Sequence, residues 1–338
     1  MSQRISRIAV AAAATALIGV GASNASAQNI LRGDAPGVGS VNHTIMIVLS
    51  KILATKAGIT MQVNEGQTLT RSAIKLGSGR LDILPLPQVA IPWMKKGVRM
   101  YKKQPDKAKA AVKNIRLIAA FIGGYYHHMV WADSPIKTHA DLKGKRVFVG
   151  PPAGGASITA MAVIRAVSGL EPKKDYTAVR LPWGAGLQAM QDGKLDAFIR
   201  PSGLGAASID QLGSKRKFRL LDIGHAEGSP AWKKFFNSVG RTPAKIPAGS
   251  YKNQANNDKD LVTNGLWSQL TARADLSEDV VYKITKALWE NIDEMHQTAV
   301  TLRSVRKDDP IKAGNVPLHP GAMKYYKEIG VEIPKHLM

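Results

Sequence analysis

Short apolar runs recur along the chain with amphipathic stretches between them. Strand-like runs fall at residues 30–32, 61–63, 83–84 and 115–121. A second series falls at 146–149, 178–181, 197–199 and 219–223. Strands spaced by helices predict βαβ units and mostly parallel sheets. Residues 41–57 place Ile45, Leu49, Ile52 and Leu53 on one helical face, with Gly58 as the stop. Residues 157–168 form the matching helix of the second series, with Ile158, Met161 and Ala162 inward and Gly169 as its stop. Ser277 predicts an N-cap, with Glu278 and Asp279 complementing the helix dipole. The following helix carries an apolar stripe of Val281, Ile284, Leu288, Ile292 and Met295.

One device occurs twice. Residues 77–83 read Gly-Ser-Gly-Arg-Leu-Asp-Ile, and residues 192–197 read Asp-Gly-Lys-Leu-Asp-Ala. Each follows a helix-like segment and leads into an apolar strand, roughly 114 positions apart. Asp82 and Asp196 hold the same place in the turn, where a carboxylate satisfies backbone N–H groups. The repeat predicts two similar α/β lobes with a ligand between them, at the carboxyl ends of the strands. Extended segments at 127–132 and 266–272 read as two hinge strands. The first lobe is then 28–128 plus 265–338, and the second is 129–264.

Arg4 and Arg7, the uncharged run 8–22 and Ala25-Ser26-Ala27 fit a secretory leader cut after Ala27. A periplasmic location follows as the expectation. The absence of cysteine excludes disulfides, thiolate metal sites, a cysteine nucleophile and lipoprotein anchoring. The formal net charge is +22, from 47 Lys and Arg against 25 Asp and Glu. Nine basic residues lie between Lys95 and Arg116, opposed only by Asp106, and Lys215, Arg216, Lys217 and Arg219 form a second cluster. In an exported chain such clusters read as solvated basic faces open to an anionic membrane, cell-wall polymers or an acidic partner, and nucleic acid is not an expected partner.

Several segments taken in order carry a family resemblance: residues 140–147 (Ala-Asp-Leu-Lys-Gly-Lys-Arg-Val), 246–251 (Ile-Pro-Ala-Gly-Ser-Tyr), 273–288 (beginning Arg-Ala-Asp-Leu-Ser-Glu-Asp-Val-Val) and 318–322 (Leu-His-Pro-Gly-Ala). The chain resembles the TAXI family, the solute-binding subunits of one class of tripartite ATP-independent periplasmic (TRAP) transporters. That resemblance implies a two-lobed, type II-like periplasmic binding protein fold. It also implies capture of a small, usually carboxylated solute for a TRAP-type integral membrane permease. The chain departs from the family pattern at residues 38–43, Val-Gly-Ser-Val-Asn-His, where a Gly-Gly-Thr-Tyr-Tyr-Pro-like run is common. It departs again at residues 150–156, where the usual hydroxyls are missing and Ser157 stands nearby, and at Arg200, usually an apolar or aromatic position.

Candidate ligand contacts follow from placement at strand ends. Gly39 lies in a glycine-bearing loop before a helix, whose backbone N–H groups suit a carboxylate, and Ser40 and Asn42 add side-chain bonds. Gly154, Gly155, Ala156 and Ser157 repeat that arrangement in the second lobe. Gln67, Thr68 and Gln88 follow the second and third strands; each also suits plain capping or backbone bonding. Trp183 covers the apolar part of a ligand or packs at the lobe edge. Arg200 offers a bidentate carboxylate contact or a surface or interlobe ion pair.

The glycine spacing at 33–39 is not the dinucleotide fingerprint, no histidine pair has metal-ligand spacing, and no Gly-x-Ser-x-Gly elbow is present. No catalytic residue, metal or cofactor is assigned. The expected protein is a monomeric binding protein rather than an enzyme. Alternatives are the binding protein of an ATP-driven importer or the ligand-sensing partner of a sensor kinase.

Overall fold

A computed structural model describes residues 30–338, apart from Ala153 and Lys215. The expected leader and its cleavage point lie outside the described residues. The first series folds as β1 (Leu31–Asp34), α1 (Val41–Ile52), β2 (Met61–Asn64), α2 (Leu69–Gly77), β3 (Ile83–Pro87), α3 (Ala90–Lys96) and α4 (Pro105–Lys113). The long strand β4 (Ile115–Trp131) then leads into β5 (Arg146–Phe148), α5 (Gly155–Ser168), β6 (Thr177–Val179), α6 (Trp183–Gln191) and β7 (Ala197–Ser202). The second lobe continues through α7 (Ala207–Gly213), β8 (Phe218–Leu220), α8 (Pro230–Phe236) and β9 (Arg241–Ile246). A second long strand, β10 (Leu261–Arg273), precedes α9 (Glu278–Glu290), α10 (Ile292–Thr298) and α11 (Pro320–Glu328).

The strand order is β2-β1-β3-β10-β4-β7-β5-β6, with β9 on β10 and β8 on β4. Read from either end, three parallel strands meet one long antiparallel strand, and the two long strands pair with each other from Gly265 opposite Tyr125 to Arg273 opposite Ile115. The fold is therefore two-lobed α/β, with hydrogen bonding continuous through the middle. The expected crossing segment 266–272 lies inside β10, and 127–132 falls in the last part of β4 and the turn residue Ala132 just after it. One hydrophobic cluster fills the first lobe, built on Ile45, Leu49, Ile83, Leu84, Leu117 and Leu270, and it takes in Leu288, Trp289 and Tyr326 from the C-terminal helices. Smaller clusters fill the second lobe, around Phe148 with Phe198, Val147 with Ile164, and Trp232 with Phe235.

The helix boundaries follow local chemistry. Gly58, which ends the π-helical turn Leu53–Ala57 continuing α1, and Gly169, which ends α5, take left-handed φ values of 64° and 73°, a conformation that costs glycine nothing sterically. Ser40 caps α1, its hydroxyl accepting from His43 N at 3.1 Å. Ser277 opens α9, but its side chain makes no capping bond.

The repeat extends well beyond the two turns. Both α2 and α6 have nine residues, and their starts lie 114 positions apart, as do Ser40 and Gly154 ahead of α1 and α5. In the first lobe the Asp82 carboxylate accepts from Arg32 N at 2.7 Å and Arg32 Nε at 2.9 Å, while Arg32 Nη2 donates to Gly79 O at 2.9 Å. In the second, Asp196 accepts from Arg146 N at 2.7 Å and Nε at 3.0 Å, and Arg146 Nη2 donates to Gly193 O at 3.0 Å. Every residue of this clasp is displaced by the same 114 positions.

Candidate functional site

The carboxyl ends of the parallel strands from both lobes face one cleft. The first lobe supplies Pro36, Gly37, Ser40 and Asn42 ahead of and within α1, residues 67–70 at the start of α2, and Pro87 at the end of β3. The second supplies Pro151 and residues 154–156 at the start of α5, Trp183 at the start of α6, and Arg200 and Pro201 on β7. Gly123 and Leu266 close the floor from the two long strands. Much of this wall is paired by the repeat: Gly37 with Pro151, Ser40 with Gly154, Asn42 with Ala156, Leu69 with Trp183 and Pro87 with Pro201. Four helix N-termini therefore open onto one space, and their unpaired N–H groups and dipoles favour an anion.

Arg200 supplies the charge. It is buried, and among the described residues no carboxylate pairs with it. Its Nη2 donates to the Val38 carbonyl at 3.2 Å, its Nε has no partner, and its guanidinium lies 5.3 Å from the centre of the Trp183 ring. Burial pushes the guanidinium down to about 10, so it stays cationic at neutral pH. An unpaired buried cation is costly, and a bound anion relieves that cost.

His127 stands opposite Arg200 in the β4–β7 pairing. Its Nδ1 donates to the Tyr125 carbonyl at 2.8 Å, and its Nε2 accepts from the Tyr251 hydroxyl at 2.6 Å. The carbonyl accepts only, which places the ring proton on Nδ1. Burial pushes the imidazole down to about 3, so it is neutral and adds no second positive charge beside the arginine.

The cleft stands closed. Arg200 reaches across it to Val38, and Ser202 Oγ donates to the Gly39 carbonyl at 2.8 Å. Gly37 lies against Trp183, where a Cβ would fall 3.0 Å from the indole. Gly39, at φ +92°, abuts Ser208, so both the backbone and the space there call for glycine. The space left in the cleft is about 60 Å³, less than an organic solute needs.

Of the residues expected from sequence, Ser40, Asn42, Gln67, Thr68, Gly154, Gly155, Ala156, Trp183 and Arg200 line this cleft. Gly39 sits just behind them. Asn42 donates to Ser268 Oγ at 3.1 Å, and its buried Oδ1 has no partner. Gln67 is partly occupied, donating to Glu65 O at 3.1 Å. Ser157 faces away from the lining and bonds the Gly154 carbonyl at 3.1 Å within its own helix turn. Gln88 is also outside the lining; its carbonyl accepts from Asn315 Nδ2 at 2.9 Å. Sequence reasoning missed Pro36, Gly37, Leu69, Thr70, Pro87, Gly123, Pro151, Pro201 and Leu266. The 114-position repeat could have found Leu69 as the counterpart of Trp183; Gly123 and Leu266 depend on strand pairing. Among the described residues no group of His, Cys, Asp or Glu could hold a metal ion, and no helix is long and apolar enough to cross a membrane.

Solved structures with a similar course of the chain include the periplasmic aliphatic sulphonate binding protein SsuA from Escherichia coli, at 15% identity and TM-score 0.47, covering 88% of this chain and 82% of that one. A TRAP periplasmic solute binding protein from Sulfitobacter sp. NAS-14.1 with bound β-D-galacturonate is 13% identical, with TM-score 0.46 and coverage of 89% and 87%. An ancestral arginine-binding protein bound to arginine is 14% identical, with TM-score 0.47 and coverage of 80% and 97%. A family model matches from residue 41 to residue 330, through both lobes and every wall of the cleft but Pro36, Gly37 and Ser40, and the chain belongs to the NMT1-like family.

Proposed function

We propose that this is a periplasmic solute-binding protein that captures a small organic anion bearing a carboxylate and delivers it to a TRAP-type membrane permease. The observation that carries the reading is Arg200, a buried guanidinium without a carboxylate partner at the meeting point of four helix N-termini. An incoming carboxylate takes the free Nε and one Nη as a bidentate pair, and the N–H groups ahead of α1 and α5 complete its shell. Trp183 covers the apolar remainder. The role is binding and release, not turnover.

The lobes part for entry, because the closed cavity is too small to admit a solute. The hinges are residues 127–132 and 266–272, dividing the chain into 28–128 with 265–338 and 129–264. Ligand contacts on both lobes then favour closure by their differential affinity. The permease class rests on the motifs at 246–251, 273–288 and 318–322.

Mass spectrometry of the solute carried through gentle purification identifies the ligand, and calorimetry then compares the parent with Arg200→Ala. A charged hydrogen bond contributes about 1.5–3 kcal/mol, so binding should weaken by one to two orders of magnitude, with Arg200→Lys restoring part of it. An uncharged solute, or an unchanged affinity, overturns the reading. A sulfonate keeps the anion site and replaces the carboxylate. Small-angle scattering should show compaction on saturation with that ligand.

A further inference from the structure

A second cavity of about 500 Å³ adjoins the cleft, and Thr70 lines both. Its walls are α2 with Arg80 in the turn after it, the turn of residues 99–104 and the start of α4. Arg71, Arg80, Arg99, Lys102, Lys103 and Lys107 surround it, and no carboxylate is part of its lining. Among the described residues none of these six forms an ion pair. Lys75 is the exception in the cavity, tied to Asp34 at 2.9 Å. Sequence shows only half of this arrangement. Folding brings Arg71 and Arg80 onto the basic run that begins at Lys95.

Two features argue against an incidental basic face. Like charges gathered without counter-ions repel one another and oppose folding. Arg99 also holds a left-handed backbone, φ 61°, which a non-glycine residue adopts only at a steric cost. The turn is braced as well: the Tyr101 hydroxyl, buried, donates to the Thr70 carbonyl at 2.7 Å. A strained, braced turn thus presents unpaired cations beside the cleft.

We propose that this basic groove docks the first lobe onto an anionic membrane surface, through the phosphates of acidic lipid headgroups. The six cations are exposed and come from three separate segments. That dispersal suits several headgroups rather than one compact anion. The inference is independent of which solute fills the cleft, so it survives or fails separately from the function proposed above. Docking there sets the cleft, which shares Thr70 with the groove, close to the membrane.

The test is sedimentation of the full chain with phosphatidylglycerol-containing vesicles and with pure phosphatidylcholine vesicles. The parent should bind only the anionic vesicles and be released by salt. A basic residue near an anionic surface contributes about a fivefold factor in affinity. Neutralising three of them in Lys102→Gln/Lys103→Gln/Lys107→Gln should therefore weaken binding roughly a hundredfold. The same change of net charge in the second lobe, Lys233→Gln/Lys234→Gln/Lys245→Gln, should leave most of it. Thermal melts confirm that both variants fold. Equal loss in both variants, no loss in the first, or no preference for anionic vesicles overturns the proposal. So does groove-dependent calorimetric binding of tripolyphosphate without vesicle binding, which makes the site one for a soluble polyanion.

Discussion

Where α2 passes β1, Ser72 donates to Asp34 at 2.6 Å, and Lys75 and Asn64 complete the carboxylate's shell at 2.9 and 3.2 Å. One repeat later, 114 positions on, Gly186 of α6 passes beneath Phe148 of β5. The ring stacks on Phe198 at 4.6 Å and meets Trp183 edge-on at 5.8 Å. The backbone plan is the same, but one lobe fills it with a satisfied buried charge and the other with aromatic rings. The aromatic filling has a consequence at the cleft. Phe148 backs Trp183, and Trp183 lies against Arg200. In the first lobe the position equivalent to Arg200 is Leu86, a fully buried core residue. The buried cation of the cleft wall thus stands in the second lobe, and its counterpart in the first is an apolar core residue.

Phe148→Ala should break this comparison most severely. Removing a buried phenyl costs about 3–5 kcal/mol of stability, and it also leaves Trp183 without its backing. Denaturant unfolding should show that loss, and calorimetry on the identified solute should show weaker binding. Unchanged binding in the folded variant would separate the aromatic stack from the site.

Asp82→Ala comes next. Asp82 is shared between Arg32 and Arg273, whose Nε donates at 2.8 Å from the crossing strand β10. Burial alone would raise this carboxyl, but the two guanidinium bonds outweigh it and hold it below the usual range. Truncation strands both cations, and about 3 kcal/mol should be lost, with ligand stoichiometry intact. Normal stability with abolished binding reverses the structural role.

Gly186→Ala tests the packing directly. A Cβ there collides with the Phe148 ring, and overpacking should cost about 1–3 kcal/mol. Ser72→Ala at the equivalent site removes a hydrogen bond instead, and should cost about 1–2 kcal/mol through the buried Asp34. A neutral Gly186→Ala in a thermal melt would show that the ring is free to move aside.

The duplicated turn, the stops at Gly58 and Gly169 and the cap at Ser40 were legible because each is a local rule: a left-handed position, a hydroxyl ahead of a helix, a carboxylate in a tight turn. Arg200 was legible because a lone cation at a strand's carboxyl end is unusual. Arg32 and Arg146 were not, although each holds its aspartate, because partners 50 positions apart are set by strand register. Ser157 lies outside the lining for a local reason: a hydroxyl in a first helical turn bonds its own carbonyls as readily as a ligand. Gln88 follows β3 as expected, but it lies outside the cleft lining: its main-chain carbonyl accepts from Asn315, and its side-chain Nε2 is buried without a partner. The extended segments at 127–132 and 266–272 were read too short, since the 17-residue length of β4 depends on pairing with β10, β7 and β8.

The smallest effect sharpens the comparison between the two clasps. Asp196 repeats the Asp82 geometry with Arg146, but its side chain is 30% exposed against 5%, and among the described residues no second cation bonds it. Solvent screens such a pair, so Asp196→Ala should cost at most about 1 kcal/mol. The bonds from Arg146 hold its carboxyl below the usual range, as those from Arg32 and Arg273 do for Asp82. Both folded values lie below the unfolded one, so the unfolded chain binds protons first as the pH drops. The stability these clasps contribute is therefore present above about pH 4 and fades as pH falls through the folded values. Denaturant unfolding of the parent and the two alanine variants at stepped pH should show both gaps narrowing in acid, with the Asp82 gap the wider at neutrality. A gap for Asp196→Ala as wide as that for Asp82→Ala would mean that Arg273 and burial add nothing, and that the two clasps are equal in strength as well as in shape.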